Sequence, residues 1–132
     1  AVVGDGQADE GQIWEAVMAA YRYHLDNLVV IIDNNGLQID GTTDEIMPQL
    51  DLTKKFDAFG YDTYEIDGHN MEQIMETFDK IHAAKDGRPK FINAHTVKGK
   101  GVSYMENQLA WHGMAPNDEQ YQQAMRELEE GI

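Results

Sequence analysis

Cysteine is absent from the 132 residues, so neither a disulfide framework nor a thiolate metal site is available and oxidation state has no handle on the fold. Positive charge is scarce: ten Lys and Arg stand against 24 Asp and Glu, a formal net charge of −14. Binding to a phosphate backbone relies on clustered Lys and Arg, so no nucleic-acid partner is expected. Lys98 and Lys100 mark one of the few places where basic residues gather. No apolar run approaches the roughly 20 residues that span a bilayer, and no basic segment followed by an apolar one opens the chain. The expectation is a soluble, cytoplasmic protein with no membrane partner.

The start of the chain lacks something as well. Ala1-Val2-Val3 reads as the end of a buried strand with no turn or partner before it, whereas strands usually run about 5 to 6 residues. A chain of this length is at most one domain, able to bury about two thirds of its unfolded surface. The expectation is a single partial domain over residues 1–132, a fragment of a larger polypeptide that is incomplete at its N-terminus.

What is present alternates. A polar turn over Gly6 to Glu10 leads into a helix from Gln12 to Leu25, with Ile13, Val17, Ala20, Tyr21 and Leu25 at helical spacing. Leu28-Val29-Val30-Ile31-Ile32 is a continuous apolar, β-branched run, the pattern of a strand covered on both faces. A long polar loop from Asn34 to Met47 follows, then a short helix from Leu52 to Phe59 capped by Gly60. Tyr61 to Ile66 reads as a strand and Met71 to Ala84 as a helix with Ile74, Met75, Phe78 and Ile81 on one face. Lys90 to His95 is a further strand, and a last helix runs from Pro116-Asn117-Asp118 through Leu128. Such alternation predicts an α/β fold, a doubly wound, mostly parallel sheet with helices on both faces. Trp14, Met18 and Met75 are expected in its core, and the acidic stretch Glu127 to Glu130 on a solvated face.

Ligands in doubly wound folds sit outside the carboxyl ends of the strands. Gly4 to Gly11, Asp33 to Gly41 and Asp67 to Asn70 fall there. Asp5 lies between two glycines that can take positive φ and admit a group close to the backbone, and the helix after it offers free N–H groups and a positive dipole end. Asn35 would reach the same space from the adjacent strand. Carboxylate, amide and carbonyl oxygens suit Mg²⁺ or Ca²⁺, with diphosphate oxygens completing the shell. Taken singly, Gly-Asp-Gly and Asn-Asn-Gly are ordinary turn sequences.

Together they are more specific. Gly4-Asp5-Gly6, Glu10-Gly11 with Trp14-Glu15-Ala16, and Asp33-Asn34-Asn35 after an apolar strand resemble the thiamine diphosphate signature. Leu25-Asp26-Asn27-Leu28, Gln38-Ile39-Asp40-Gly41, Phe59-Gly60-Tyr61, Asp67-Gly68-His69, Thr96-Val97-Lys98-Gly99-Lys100-Gly101 and Trp111-His112-Gly113 follow in the order seen in transketolases. The resemblance covers nearly the whole chain and matches the second half of the domain that binds the cofactor's diphosphate.

That resemblance implies roles. Asp5 and Asn35 match side-chain ligands of the metal, and Leu37 the residue that gives its backbone carbonyl. Gly6 matches the glycine whose N–H meets the diphosphate. His112 matches a histidine near the diphosphate and the reacting end of the sugar, and Lys98 a basic residue facing the active site. Glu10 matches a carboxylate at the interface between subunits. It also implies thiamine diphosphate, sugar-phosphate substrates, a pyrimidine-binding domain or subunit, and assembly as a homodimer or heterotetramer. His69 is divided between a structural and a functional role, while His24, His82, His95 and Lys100 read as structural or solvated. A deoxyxylulose phosphate synthase-like thiamine enzyme and a non-catalytic phosphate-binding module remain alternatives; Trp111-His112-Gly113 favours transketolase over the first.

Overall fold

The computed structural model describes residues 1–131. Four strands form one sheet: β1 (Val2–Gly4), β2 (Val29–Asn34), β5 (Asp62–Asp67) and β6 (Lys90–His95), in the order β1-β2-β6-β5. All three pairings are parallel. A two-residue hairpin, β3 (Leu37–Gln38) with β4 (Gly41–Thr42), stands apart from it. The helices are α1 (Gly11–Arg22), the single turn α2 (Thr43–Ile46), α3 (Leu52–Ala58), α4 (Met71–Ala83) and α5 (Asp118–Glu130).

Alternate residues of the central strands feed two cores, as the pleat requires. Val30 and Ile32 of β2 and Phe91 of β6 pack with Val17 and Ala20 of α1 and Leu52 and Phe56 of α3. Ile92 and Ala94 of β6 turn the other way, against Ile81, Ile74 and Phe78 of α4. Helices therefore cover both faces of a parallel sheet. Phe56 stacks on Phe91 with centroids 3.8 Å apart and meets Tyr61 edge-on at 5.3 Å; each fully buried ring of this kind contributes about 1.5–3 kcal/mol through apolar burial. The buried Tyr61 hydroxyl donates to the Val17 carbonyl at 3.2 Å, and burial pushes its pKa up to about 12.

Several boundaries and faces depart from the expectations. α1 ends at Arg22 rather than Leu25, because His24 adopts a left-handed φ of 53° that no helix continues. The polar stretch after Asn34 is not a plain loop: it holds the hairpin and α2, which starts on a capping box between Thr42 and Glu45. Met18 and Met75 are exposed, at 51% and 66%, since each sits beside rather than on the stripe that its helix turns inward. Trp14 does pack inward, stacking on Phe59 and donating its indole N–H to the Ala8 carbonyl at 2.9 Å.

Gly60 closes α3 as expected, with φ +91° and its N–H on the Asp57 carbonyl. A Cβ there would lie 2.3 Å from the Tyr21 ring. Gly60→Ala is expected to cost about 1–3 kcal/mol, from backbone strain plus displacement of that ring, read as a lower urea midpoint.

Candidate functional site

In the parallel register Gly4 lies level with Asp33, Asn34 with His95, and His95 with Asp67. The strands thus end along one edge, and Asp5, Asn35, Thr96 and Gly68 are the first residues beyond it. Asp5 is held close by its N–H, which donates to the Asp33 carbonyl at 3.2 Å. Its side chain is only 2% exposed, yet its partners are backbone amides: Gly6 N–H at 2.8 Å on one oxygen and Gly36 N–H at 2.6 Å on the other. Burial holds this carboxyl above its ordinary pKa, with the Gly36 and Gly6 amides opposing and the charge of Asp33 adding to the rise.

Asn35 arrives from the end of β2. Its amide oxygen accepts the Leu37 N–H at 3.1 Å, closing a turn that brings Leu37 back toward Asp5, and its amide nitrogen points to Asp33 at 3.4 Å. The Asp33 carboxylate also accepts a hydrogen bond from the Thr96 hydroxyl, which ties this turn to the loop after β6.

The glycines on either side of Asp5 do not act as expected. Neither is among the glycines with positive φ. Gly6 serves by close approach instead: a Cβ there would fall 2.7 Å from the Gln38 Cβ, so only a glycine lets the β3–β4 hairpin fold down over this turn. The polar turn expected between β1 and the first helix is present. A 3₁₀ turn spans Gly6–Asp9, capped by the Asp5 side chain, and α1 starts two residues later behind Glu10, which makes no side-chain cap. The Gly6 N–H, expected to face a diphosphate, here donates to Asp5.

These elements wall a cavity of about 770 Å³. Asp5, Gly6, Asn35, Leu37, Lys98 and His112 all line it, with Glu10 at its border. The structure therefore brings together every residue singled out for the cofactor, the metal and the reaction, although residues 5 and 112 are nearly a chain length apart. Lys98 and His112 meet directly, Lys98 Nζ lying 3.1 Å from His112 Nδ1. An ammonium has only donors, so Nδ1 accepts and the imidazole proton sits on Nε2. The pair presents N–H groups of two kinds to an otherwise acidic cavity wall that includes Asp33 and Asp40.

His69 stands elsewhere. Its Nε2 accepts the Val97 N–H at 2.8 Å, so it fastens the start of the Lys98 loop and does not line the cavity; Asn70, not His69, caps α4. His95 pairs with Glu65 at 2.6 Å. The sequence assigns no role to two residues, Gln49 and, although it opens the Gln38-Ile39-Asp40-Gly41 motif, Gln38. Buried Gln49 donates from Nε2 to the Asp5 carbonyl and, at 2.9 Å, to Asp9, while Gln38 reaches the other Asp9 oxygen at 3.4 Å. They tie the floor of the cavity to the hairpin, and a glutamine in a polar stretch betrays nothing of this.

Among the described residues no three His, Cys, Asp or Glu side chains cluster as a metal centre. The donor set on offer is one carboxylate, one amide and one backbone carbonyl, all hard oxygens from Asp5, Asn35 and Leu37. Such a set fits Mg²⁺, which binds through one or two carboxylates plus phosphate oxygens instead of an all-protein cage. A buried carboxylate with no cationic partner among the described residues, together with amide and carbonyl oxygens that keep a second lone pair, suits that ion. The residues present fit the group.

The sequence profile of the family described as "Transketolase, thiamine diphosphate binding domain" matches residues 1–129. One of the subunits of the apulose-4-phosphate transketolase of Phocaeicola vulgatus is 48% identical over 131 residues, 99% of this chain and 46% of that protein. The 6-deoxy-6-sulfo-D-fructose transketolase subunit SqwG of Clostridium sp. strain MSTE9 is 44% identical over 128 residues, 97% of this chain and again 46% of that protein. This chain thus spans about half the length of the curated relatives it matches. Among solved structures, a transketolase from Campylobacter jejuni superposes with a TM-score of 0.89 at 27% identity, covering 97% of this chain and 20% of that one.

Proposed function

The chain belongs to the transketolase thiamine diphosphate binding family, and from that premise we propose that it supplies the metal and diphosphate half of a transketolase active site. Asp5, Asn35 and the Leu37 carbonyl would hold Mg²⁺ or Ca²⁺, and the Gly6 N–H, which caps on Asp5 here, would reach the diphosphate only by giving up that bond once the carboxylate turns to the metal. Bound there, thiamine diphosphate supplies an electron sink for a two-carbon ketol unit carried between sugar phosphates. The chain's own groups bind, orient and hold protons. His112 and Lys98 meet the anionic oxygens at the reacting end, and His112 Nε2–H is the proton this wall can share with a sugar oxygen.

The convergence of Asp5, Asn35, Leu37, Lys98 and His112 on one cavity is the observation that carries this reading. Groups that activate the cofactor's ring are not among them, so the reading includes a pyrimidine-binding domain or subunit. Relatives named as subunits support such a partner. Their names attach different sugars to one reaction type, so the proposal stops at ketol transfer between sugar phosphates. Residues 1–132 as one partial domain, cytoplasmic placement, Glu10 at a contact between subunits, and a homodimer or heterotetramer belong to the same proposal. Among the described residues no helix is long and apolar enough to cross a membrane.

Calorimetry with thiamine diphosphate, with and without Mg²⁺, on the chain combined with its pyrimidine-binding partner tests the assignment. Binding that requires Mg²⁺, together with ketol transfer from a ketose phosphate, is expected. Metal-independent binding of inorganic phosphate alone would point instead to a phosphate-binding module and end the transketolase reading.

A further inference from the structure

Lys98 and His112 belong to a segment with almost no regular structure between β6 and α5, apart from a 3₁₀ turn over Leu109–His112. Two side chains 14 residues apart on such a segment stay paired only if something outside fixes both. That anchor is α5. Its acidic end was expected on a solvated face, but Glu127 is engaged: Ser103 donates to it twice, from N–H at 2.6 Å and from Oγ at 2.7 Å, and Gln123 donates at 2.7 Å. These bonds hold the Glu127 carboxyl below its ordinary pKa, the Gln123 contact foremost.

A second attachment runs toward His112 itself. The Tyr104 hydroxyl donates to the Gln120 carbonyl at 2.7 Å, and the Tyr104 carbonyl accepts the Trp111 indole N–H at 2.9 Å. The two rings meet at 62° with centroids 5.2 Å apart. Gln120 is fixed in turn, since it forms the capping box with Asn117 that starts α5. Three contacts therefore lead from the first turn of α5 to the residue beside His112. On the other flank, the Asn107 N–H closes onto the Lys98 carbonyl at 2.9 Å.

α5 has little else to do in the fold. Ala124 is its one buried residue, while Tyr121 and Met125 remain exposed. A helix retained for core packing would bury a stripe; this one spends its polar groups on the segment that carries the reactive pair.

We propose that α5 is a brace that sets the spacing of Lys98 and His112, with Tyr104 and Glu127 as positioning residues for that pair. The proposal rests on the cavity being a transketolase site, and it adds a requirement that the cavity's lining does not reveal. The brace acts on the pair and leaves the Asp5–Asn35 end untouched. Its loss should therefore appear in turnover before it appears in cofactor affinity.

The test uses the complete enzyme with Tyr104→Phe, Glu127→Ala and Glu127→Gln. A small misplacement of reacting groups lowers kcat steeply, so Tyr104→Phe and Glu127→Ala are expected to lose about 10-fold or more in kcat while the Mg²⁺–thiamine diphosphate Kd moves by less than about twofold. Glu127→Gln keeps an acceptor for Ser103 and should recover most of the loss. In spectra of ¹⁵N-labelled histidine, with His112 assigned by His112→Gln, the two damaging variants should move the imidazole nitrogen signals away from the single tautomer set by Lys98. Unchanged kcat and unchanged His112 signals overturn the brace. So does a parallel fall of kcat, cofactor affinity and unfolding midpoint without rescue by glutamine, which makes α5 a plain stabilising element. An unmodified enzyme that neither binds the cofactor nor transfers a ketol unit sinks the underlying reading, and the histidine spectra then decide the brace alone.

Discussion

Asp5→Asn is expected to lower magnesium-dependent affinity for thiamine diphosphate by about 100-fold or more, the top of the range seen when even the partners of metal ligands are removed. Such a factor corresponds to about 2.7 kcal/mol of binding free energy. The side chain is buried and its hydrogen-bond partners among the described residues are backbone amides, those of Gly6 and Gly36 foremost, so a cation would use its full charge. Asparagine keeps the volume and one acceptor oxygen while removing that charge. Loss of folding is separated by the unfolding midpoint without cofactor. The new NH2 must face either the Gly6 or the Gly36 N–H, so that midpoint should fall somewhat, and the binding comparison is made at a temperature where both proteins are folded. Calorimetric titration showing undiminished Mg²⁺-dependent binding by Asp5→Asn would remove Asp5 from the metal site.

At the opposite edge of the sheet, Lys90→Ala is expected to cost about 1–3 kcal/mol of stability, below the loss for a fully buried pair because the ammonium is buried while its partner Asp86 is 38% exposed. Lys90 opens β6 and is fully buried, with Nζ 2.6 Å from Asp62 and 2.5 Å from Asp86. Arg88 joins at 2.5 Å from the second Asp62 oxygen and donates to the carbonyls of Gly60 and Tyr61. Deleting the ammonium leaves Asp62 to Arg88 alone and Asp86 to water, beside the void of the lost side chain. Lys90→Met fills the space and lets the more exposed Asp86 hydrate, so it should lose clearly less. Urea denaturation orders the three proteins, and equal stability of Lys90→Ala and the parent would show the cluster to be inert.

The pH dependence follows from the direction of the shift. Burial pulls the Lys90 pKa down, but the hydrogen bonds and charges of Asp62 and Asp86 outweigh it and leave it above 10.5. A group whose pKa is raised on folding stabilises fully below its unfolded value, and that contribution is lost as pH climbs through the folded value. The cluster therefore works at full strength across neutral and mildly alkaline pH.

How much of this was legible in the sequence depends on the range of the forces involved. The parallel, doubly wound layer was readable because Leu28 to Ile32 and Lys90 to His95 carry apolar residues on both faces, a pattern that only a covered central strand satisfies. The candidate site residues came from motif order, which names Asp5, Asn35, Lys98 and His112 without knowing their distances, and what the structure adds is that all four line one cavity. Lost to the sequence were features decided by tertiary contact. The inward turn of α1 excludes Met18, the hairpin lies on Gly6 because Gln38 packs there, and Glu127, still partly exposed, bonds to Ser103. Local patterns could not anticipate Lys90 either, since a lysine at the head of a strand is ordinarily exposed and becomes buried here only through Asp62 and Asp86.

The cavity draws its walls from residue 5 at one end and residue 112 near the other, with Asn35 and Lys98 between. A molecule gripping Asp5 and His112 together is in effect a non-covalent staple across most of the chain. Closing so long a loop carries an entropy that an unliganded chain meets from packing alone. With the staple in place, release of either wall must first release the ligand, and stability rises with ligand concentration by mass action. The fold and its occupant would then melt as one unit.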